Sequence, residues 1–433
     1  MHYSKYKIAI IGIGVEGQDA ARYFLGQQSK RITIFDRSEE GKVKSKEWKD
    51  KPLEWVCGEN YLSGGLKDYD YIVRSPGVYR YLPEIVEAEK SGVKVTSNTQ
   101  LFFEESEANI IGVTGTKGKG TTARMLQMGL EAVGKTTLLL GNIGTPMLDR
   151  IPDADTFDWV ILELSSFQLI DLTISPPIAV VTNITTDHLN WHKDREEYIS
   201  AKKNLWIHQK PTDTVIFNYD DETCREFAKT APGKILWFSQ VATFEVAARK
   251  LKVPGKHNLE NAFAALQAGI SAGGDKEKMW QGICKFEGAE HRLEFVAEIG
   301  GVKYVNDSAA TTPESGVAAL RSFKEPKILI TGGSLKGVTF EKYAKAIIDN
   351  NVKAVFVLGE AAREIKKELE KAGFKGEIII NVENMENIVS QSLDKANSGD
   401  FVLLSPACAS FGLFKNYQDR GNAFKAAVRK QIK

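Results

Sequence analysis

This sequence offers little that would tie it to a membrane, an oxidising compartment or a polyanion. Its longest apolar runs, such as Ile8–Ile13 and Val160–Leu164, are strand-sized and fall far short of the ~20 residues a membrane span needs. The N-terminal stretch MHYSKYKIAIIGIG lacks the layout of a signal peptide and enters a strand pattern at once, so a cytoplasmic protein is expected. Only four cysteines occur (Cys57, Cys224, Cys284, Cys408), far apart and without CxxC or Cys/His spacing, which argues against disulfides and zinc. Neither charge dominates: 57 basic residues face 56 acidic ones, leaving +1 over 433 residues. With no overall field and no basic stripe interleaved with aromatics, neither nucleic acid nor an anionic bilayer is an expected partner. No long linker, internal repeat or low-complexity tract breaks the chain.

What remains is ample material for several cores. At ~150 residues per domain the length suggests about three. Short β-branched runs recur: KIAIIGIG, RITIFDR, YDYIVRSPG, NIIGVTG, DWVILELSS, PIAVVTNI, DTVIFNYDD, KILITGG, AVFVLGE and DFVLLSP. Each is followed by Gly, Asn, Asp or Ser and then a helical stretch. Apolar runs without alternation imply strands buried on both faces, hence parallel sheets covered by helices. Ligands of such sheets sit beyond the carboxyl ends of the strands, which directs attention to Asp36, Ser75, Glu163, Asn183, Asp307, Gly332 and Ser405. The strand pattern restarts near Val95–Asn98 and again near Arg292–Val296, before VKYVNDS.

Two glycine loops follow strands and open helices. In the first, Gly12-Ile13-Gly14-Val15-Glu16-Gly17 has Asp36 at the end of the next strand, about 20 residues on. Glycines there admit a pyrophosphate and the helix N-terminus favours its charge. NAD(P), another nucleotide diphosphate and a tight structural turn all remain open. Ser75-Pro76-Gly77 adds a second rigid loop facing the same crevice. The second glycine loop reads Gly112-Val113-Thr114-Gly115-Thr116-Lys117-Gly118-Lys119-Gly120-Thr121-Thr122. It is a Walker variant, with Val113 where the first glycine belongs and Gly120 directly after the lysine. Its physics survives: backbone N–H groups form a phosphate nest, Lys119 reaches terminal phosphates, and Thr121 or Thr122 can ligate Mg²⁺. Two such loops in one chain suggest an ATP-using enzyme whose substrate itself carries a diphosphate.

Other positions read two ways. Glu163 with Thr121 makes a plausible Mg²⁺ site, and His188, in the strand-end loop Thr186-Asp187-His188, could ligate an ion or be structural. Lys202 on its helical segment reads on spacing alone as a snorkelling surface lysine. Asn258 and Asn261, three apart, could bond a purine or cap a helix. Arg292 could reach phosphates, and Ser405–Phe411 offers small side chains suited to a carboxylate. Cys408 reads as small filler, with no base in view to activate it. No Ser/His/Asp set is present.

Taken together, GTKGKGTT, LELSSFQL, NITTDHLNWH, AKK, GKHNLEN, HRLE, VNDSAATTP and SPACASFGLFKNYQDRGNAF resemble, in order and spacing, the Mur ligases, and among them those that add D-glutamate. The resemblance spans nearly the whole chain. It implies an α/β protein of three domains: a UDP-binding Rossmann-like domain over 1–95, a central P-loop ATPase-type domain over 96–295, and a C-terminal Rossmann-like domain for the amino acid over 296–433. It implies a monomer that uses ATP and Mg²⁺ to join D-glutamate to UDP-N-acetylmuramoyl-L-alanine through an acyl phosphate, a step of peptidoglycan precursor synthesis. On this likeness the first loop is a UDP-diphosphate site built from Gly14, Val15, Asp36, Arg37, Ser75, Pro76 and Gly77, with Asn142 and His188 also on the sugar-peptide side. ATP would be held by Gly115, Thr116, Lys117, Gly118, Lys119, Gly120, Thr121, Thr122, Asn261, Arg292 and Asp307. Metal would be bound by Thr121, Glu163, His188 and Lys202, the last matching a lysine that becomes carbamylated. Lys119, Lys202, His188 and Arg292 would be catalytic, and Thr311, Lys336, Ser410 and Phe411 would line the glutamate pocket. Three residues depart from the family pattern: Ala309 and Leu335 near that pocket, and Gly120 in the loop.

Overall fold

A computed structural model describes residues 3–38, 48, 50–142, 145–189, 191–239, 251–253, 256–288, 290–335, 339–380, 384–410 and 413–432. Lys336 and Phe411 lie outside the described residues. The chain divides into two units, Met1–Phe286 and Glu287–Lys433.

The first unit holds two sheets. One comprises β1 (Lys7–Ile11), β2 (Arg31–Asp36), β3 (Glu54–Cys57), β4 (Tyr71–Arg74) and β5 (Lys94–Thr96), all parallel in the order β3-β2-β1-β4-β5. Its strands are buried on both faces: Ile8 and Ile10 enter one apolar cluster with Phe24 and Ile34, while Ala9 and Ile11 enter another with Phe35 and Ile85. Because β1 is followed by β2 on one side and flanked by β4 on the other, the order reverses there, and a crevice opens at the carboxyl ends of β1 and β4. The second sheet comprises β6 (Ile110–Thr114), β7 (Thr137–Gly141), β8 (Trp159–Glu163), β9 (Ile178–Val181), β10 (Thr214–Asn218) and β11 (Lys234–Phe238). These are again parallel, in the order β11-β10-β9-β6-β8-β7. The strand β6 lies between β8 and β9, so the loops after these three strands share one end of the sheet.

Asp19, buried on the helix Val15–Gly26, ties the two sheets of this unit. Its carboxylate accepts the backbone N–H groups of Leu148 (3.0 Å) and Asp149 (2.9 Å) and the side-chain amide of Asn98 (2.9 Å).

The second unit contains β12 (Glu294–Ile299), β13 (Val302–Asn306), β14 (Lys327–Gly332), β15 (Val352–Leu358), β16 (Glu377–Ile379) and β17 (Phe401–Leu404) in the order β12-β13-β17-β14-β15-β16. All pairs are parallel except the edge hairpin β12–β13. Alternate residues again feed two cores, Val305, Leu329 and Leu403 on one face and Tyr304, Ile328 and Val402 on the other. Burying each such aliphatic side chain stabilises the fold by roughly 1.5–3 kcal/mol. The fold is therefore α/β with three mainly parallel sheets. At the edges of their sheets, β5 runs to Thr96 and β12 starts at Glu294. Both strands are only partly buried, which weakens their apolar signal.

Candidate functional site

The first glycine loop is built by contacts from three strands. Gly12, at φ +87°, donates its N–H to the Phe35 carbonyl at 2.8 Å. Asp36, closing β2, accepts the Ile13 N–H on one oxygen (2.8 Å) and the Ser38 N–H on the other (2.7 Å). Ser75, following β4, donates its hydroxyl to the Gly12 carbonyl at 2.7 Å. The carboxylate of Asp36 thus braces the loop itself. No side chain caps the N-terminus of the helix Val15–Gly26, and Gly14 and Val15 are exposed there, as is Arg37 after β2. Gly14, Val15, Asp36, Arg37, Ser75, Pro76 and Gly77 therefore share the carboxyl ends of β1, β2 and β4. Such a loop has the N–H groups and dipole to hold an anion.

The second glycine loop joins β6 to the helix Lys119–Ala132. Gly118 caps that helix at φ +84°, and an added Cβ would meet Asn261 Oδ1 at 2.2 Å. The loop is laced to the end of β9. Thr116 N–H donates to the Asn183 carbonyl (2.8 Å), Lys117 N–H to Asn183 Oδ1 (2.9 Å), and Asn183 Nδ2 and Thr182 Oγ1 to the Lys117 carbonyl (2.9 and 2.6 Å). Thr116 Oγ1 lies 2.8 Å from the Tyr198 hydroxyl, and Thr122 Oγ1 donates to Asn261 Oδ1 at 3.3 Å. Lys119 donates to the Gly115 and Thr116 carbonyls, both at 3.1 Å, with its Nζ 4.0 Å from Glu163 Oε1. Gly120 and Thr121 complete the first turn. Asn261 is thus a prop under Gly118.

Glu163 ends β8 and is buried; Asn142 donates to its carboxylate at 3.2 Å. Lys202, read from spacing as a surface lysine, is only 2% exposed. Its Nζ donates to the Gly115 carbonyl (2.7 Å) and Thr114 Oγ1 (3.4 Å) and lies over the Tyr198 ring. Burial drives its pKa well down, the charge of Lys119 adds to this, and Glu163 and Asp187 oppose it. His188 adopts φ +55°, half-exposed, with its ring against Phe167 at 4.8 Å. Burial holds it below the usual histidine range, with Lys119, Lys202 and Lys117 adding and Asp187 opposing. Glycine loop, Glu163, Lys202 and His188 thus meet at one end of the second sheet.

Among the described residues no group of three or more His, Cys, Asp or Glu side chains converges as a metal cage. One buried carboxylate with the hydroxyl of Thr121 suits Mg²⁺, which keeps waters and takes phosphate oxygens rather than an all-protein shell. A Zn²⁺ site has no such basis here.

In the second unit, His291 is buried against Asn306 (2.9 Å), and the Leu293 N–H donates to Asp307 Oδ1 (3.2 Å), so Arg292 between them projects to solvent. Asp307 also accepts from Ser405 Oγ (2.9 Å); burial pushes its carboxyl up to about 7, opposed by Ser405, the Leu293 N–H and Arg292. Thr311 is partly buried before the helix Pro313–Arg321, and Ser410 is buried after β17. Cys408 packs in the apolar core, and burial pushes its thiol up to about 11, as filler requires.

Further residues tie these sites together. Arg420 is buried and donates to Ser308 Oγ and to the Ser308 and Cys408 carbonyls, pinning two strand-end loops of the second unit. Glu16 accepts from Gln168 at 2.7 Å, and His192 Nε2 lies 2.9 Å from Ser166 Oγ. Arg74 reaches Asp171. Glu16, Gln168, His192 and Arg420 fall inside the motifs quoted above, but nothing in their spacing marks them as ties between loops; Arg74 shows only as a polar residue closing an apolar run.

Three family models match successive stretches of the chain: the Mur ligase MurD-like N-terminal domain over residues 6–97, the Mur ligase middle domain over 113–250, and the Mur ligase glutamate ligase domain over 291–408. The chain is 38% identical to the UDP-N-acetylmuramoylalanine--D-glutamate ligase of Acetivibrio thermocellus, across 98% of this chain and 96% of that one. It is 36% identical, over the same shares, to the protein of that name from Ruminiclostridium cellulolyticum. Among solved structures, UDP-N-acetylmuramate-alanine ligase MurC of Thermotoga maritima has the same fold, with a TM-score of 0.58 at 20% identity over 98% of this chain and 99% of that one.

Proposed function

The chain belongs to the Mur ligase family, and on that premise we propose that it joins D-glutamate to the alanine carboxylate of UDP-N-acetylmuramoyl-L-alanine, splitting ATP to ADP and phosphate. The end-to-end likeness to ligases of that name carries the reading, and the loop after β6 supplies its chemistry. Gly115, Thr116, Lys117 and Gly118 offer backbone N–H groups, and Lys119 a charge, to the nucleotide's terminal phosphates. Asn261 keeps that loop in place, while Arg292 and Asp307 are further nucleotide contacts. The loops at Gly14–Val15, Asp36–Arg37 and Ser75–Gly77 take the uridine diphosphate, and Asn142 and His188 its sugar-peptide. Thr121, Glu163 and His188, with Lys202, would hold Mg²⁺, which when bound neutralises charge on the phosphoryl oxygens. Lys202 is suited to carbamylation because burial favours its neutral amine, the form that adds to CO₂. The carbamate would put a metal-binding anion where the neutral amine stands. Thr311, Lys336, Ser410 and Phe411 are assigned to the D-glutamate pocket.

In the reaction, an oxygen of the alanine carboxylate attacks the γ-phosphorus in line and ADP leaves, giving an acyl phosphate. The glutamate amine adds to the acyl carbon, loses a proton, and the tetrahedral intermediate expels phosphate to leave an amide. No protein nucleophile is required. Water must be excluded, because acyl phosphates hydrolyse. The protein works in the cytoplasm as a monomer; among the described residues no helix is long and apolar enough to cross a membrane.

The test is phosphate release from MgATP with UDP-N-acetylmuramoyl-L-alanine and D-glutamate, L-glutamate or no amino acid. Release dependent on D-glutamate is the expected result. Release with L-glutamate alone would overturn the amino-acid assignment, and none with either would overturn the ligase reading.

A further inference from the structure

Three segments of the first unit meet on one buried guanidinium. Arg74, the last residue of β4, has no exposed surface. Its Nη1 donates to the carbonyls of Ser75 (3.0 Å) and Val78 (2.6 Å), and its Nη2 to that of Phe167 (2.7 Å). Nη2 and Nε also donate to Asp171 Oδ2, at 2.5 and 2.9 Å. Trp191 places its ring 5.8 Å from the guanidinium carbon and donates its Nε1 to the Gly77 carbonyl at 3.4 Å. One side chain therefore holds the Ser75–Gly77 loop, the Ser166–Leu169 helix that follows Glu163, and the segment that carries His188. Only a planar fork with several fixed donors can meet this set; a lysine offers one point charge. The arrangement is also anchored from the other side, since Arg80 Nε approaches Asp171 Oδ1 at 2.8 Å.

We propose that Arg74 is a positioning residue for the ligation: it fixes the Ser75–Gly77 loop against the segments bearing Glu163 and His188, and so sets where the acceptor carboxylate of the diphosphate-sugar substrate lies relative to the phosphoryl donor. Arg74 touches no reacting atom and acts through the loops it ties. The inference rests on the ligase reading above.

The test is steady-state kinetics of Arg74→Lys, with each substrate varied in turn. The expected result is a rise in KM for UDP-N-acetylmuramoyl-L-alanine of tenfold or more and a fall in kcat, with KM for ATP changed less than threefold. Should Arg74→Lys fail to fold, the double variant Arg74→Met/Asp171→Leu removes the tie, leaves Arg80 its ion pair with Glu89, and is read by the same split. Equal rises in both KM values, or kinetics like those of the parent chain, would overturn the proposal. If the parent chain itself forms no amide from these substrates, the ligase reading fails first, and the two failures are thereby distinguished.

Discussion

Glu16 lies in the first turn of the helix that the glycine loop opens, and only one of its carboxylate oxygens has a hydrogen-bond partner; the other is buried without one. Burial pushes the carboxyl up to about 7, Gln168 and Arg74 opposing and Asp19 adding to the shift. A carboxyl whose pKa is raised by folding holds its proton longer in the folded state. Its contribution to stability is therefore whole below about pH 4.5 and lost as the pH rises to about 7. Glu16→Gln should shrink the fall in stability between pH 5 and pH 8 by about 2–3 kcal/mol, since a shift of one unit corresponds to about 1.4 kcal/mol. Urea unfolding of both proteins at the two pH values measures this, and equal falls would assign the effect to other groups. Lys119 and Glu163 make a different pair of predictions. Lys119→Met and Glu163→Gln should each cut D-glutamate-dependent phosphate release by about a hundredfold or more, the scale of losing one preorganised charge in a dry site. Midpoints of thermal unfolding measured alongside should stay near that of the parent chain; a collapse in both would mean lost structure.

Elements are where sequence and structure compare most usefully. Strands buried on both faces were legible as apolar runs: KIAII is β1, WVILE is β8, and FVLL is β17. The edge strands were not. β3 (EWVC) and β12 (EFVAEI) alternate or mix exposure along their length and carry only short apolar runs, while β11 (KILWF) has a run as long as that of β17 but leaves much of it exposed at the sheet edge. The strand-end rule located positions in the fold because it concerns interior strands: Asp36 and Glu163 close β2 and β8, and Asn183 and Asp307 follow the ends of β9 and β13 within two residues. Lys202 was legible only through family likeness, since its burial depends on Gly115, 87 residues away, which no local pattern connects to it. Nothing in the sequence linked Arg74 to Asp171, 97 residues apart. Helix starts also make a prediction. A Cβ on Gly17 would stand 1.9 Å from the Gly12 carbonyl oxygen, which is backbone and has no rotamer to yield. Gly17→Ala should shift the loop, costing about 1–3 kcal/mol as overpacking does. It should raise KM for the uridine substrate tenfold with little change for ATP. Unaltered KM would show that the loop is not a binding element.

At the scale of the whole molecule, the second unit has its own sheet with a core on each face. A chain of residues 287–433 should therefore fold alone. Calorimetry should show one cooperative transition, while a broad, non-cooperative melt would mean that its sheet depends on the rest of the chain. Neither this fragment nor residues 1–286 should release phosphate in the ligation assay, because the resemblance assigns nucleotide contacts to both. The junction inside the first unit bears on how such a chain can change over generations. Arg74 and Asp171 are both almost fully buried, so losing Asp171 alone strands the Arg74 guanidinium at a cost of about 3–5 kcal/mol, whereas losing Arg74 alone leaves Asp171 its ion pair with Arg80. The order of exchange therefore matters: replacing Arg74 first leaves every remaining charge paired, while replacing Asp171 first leaves a buried cation without its carboxylate.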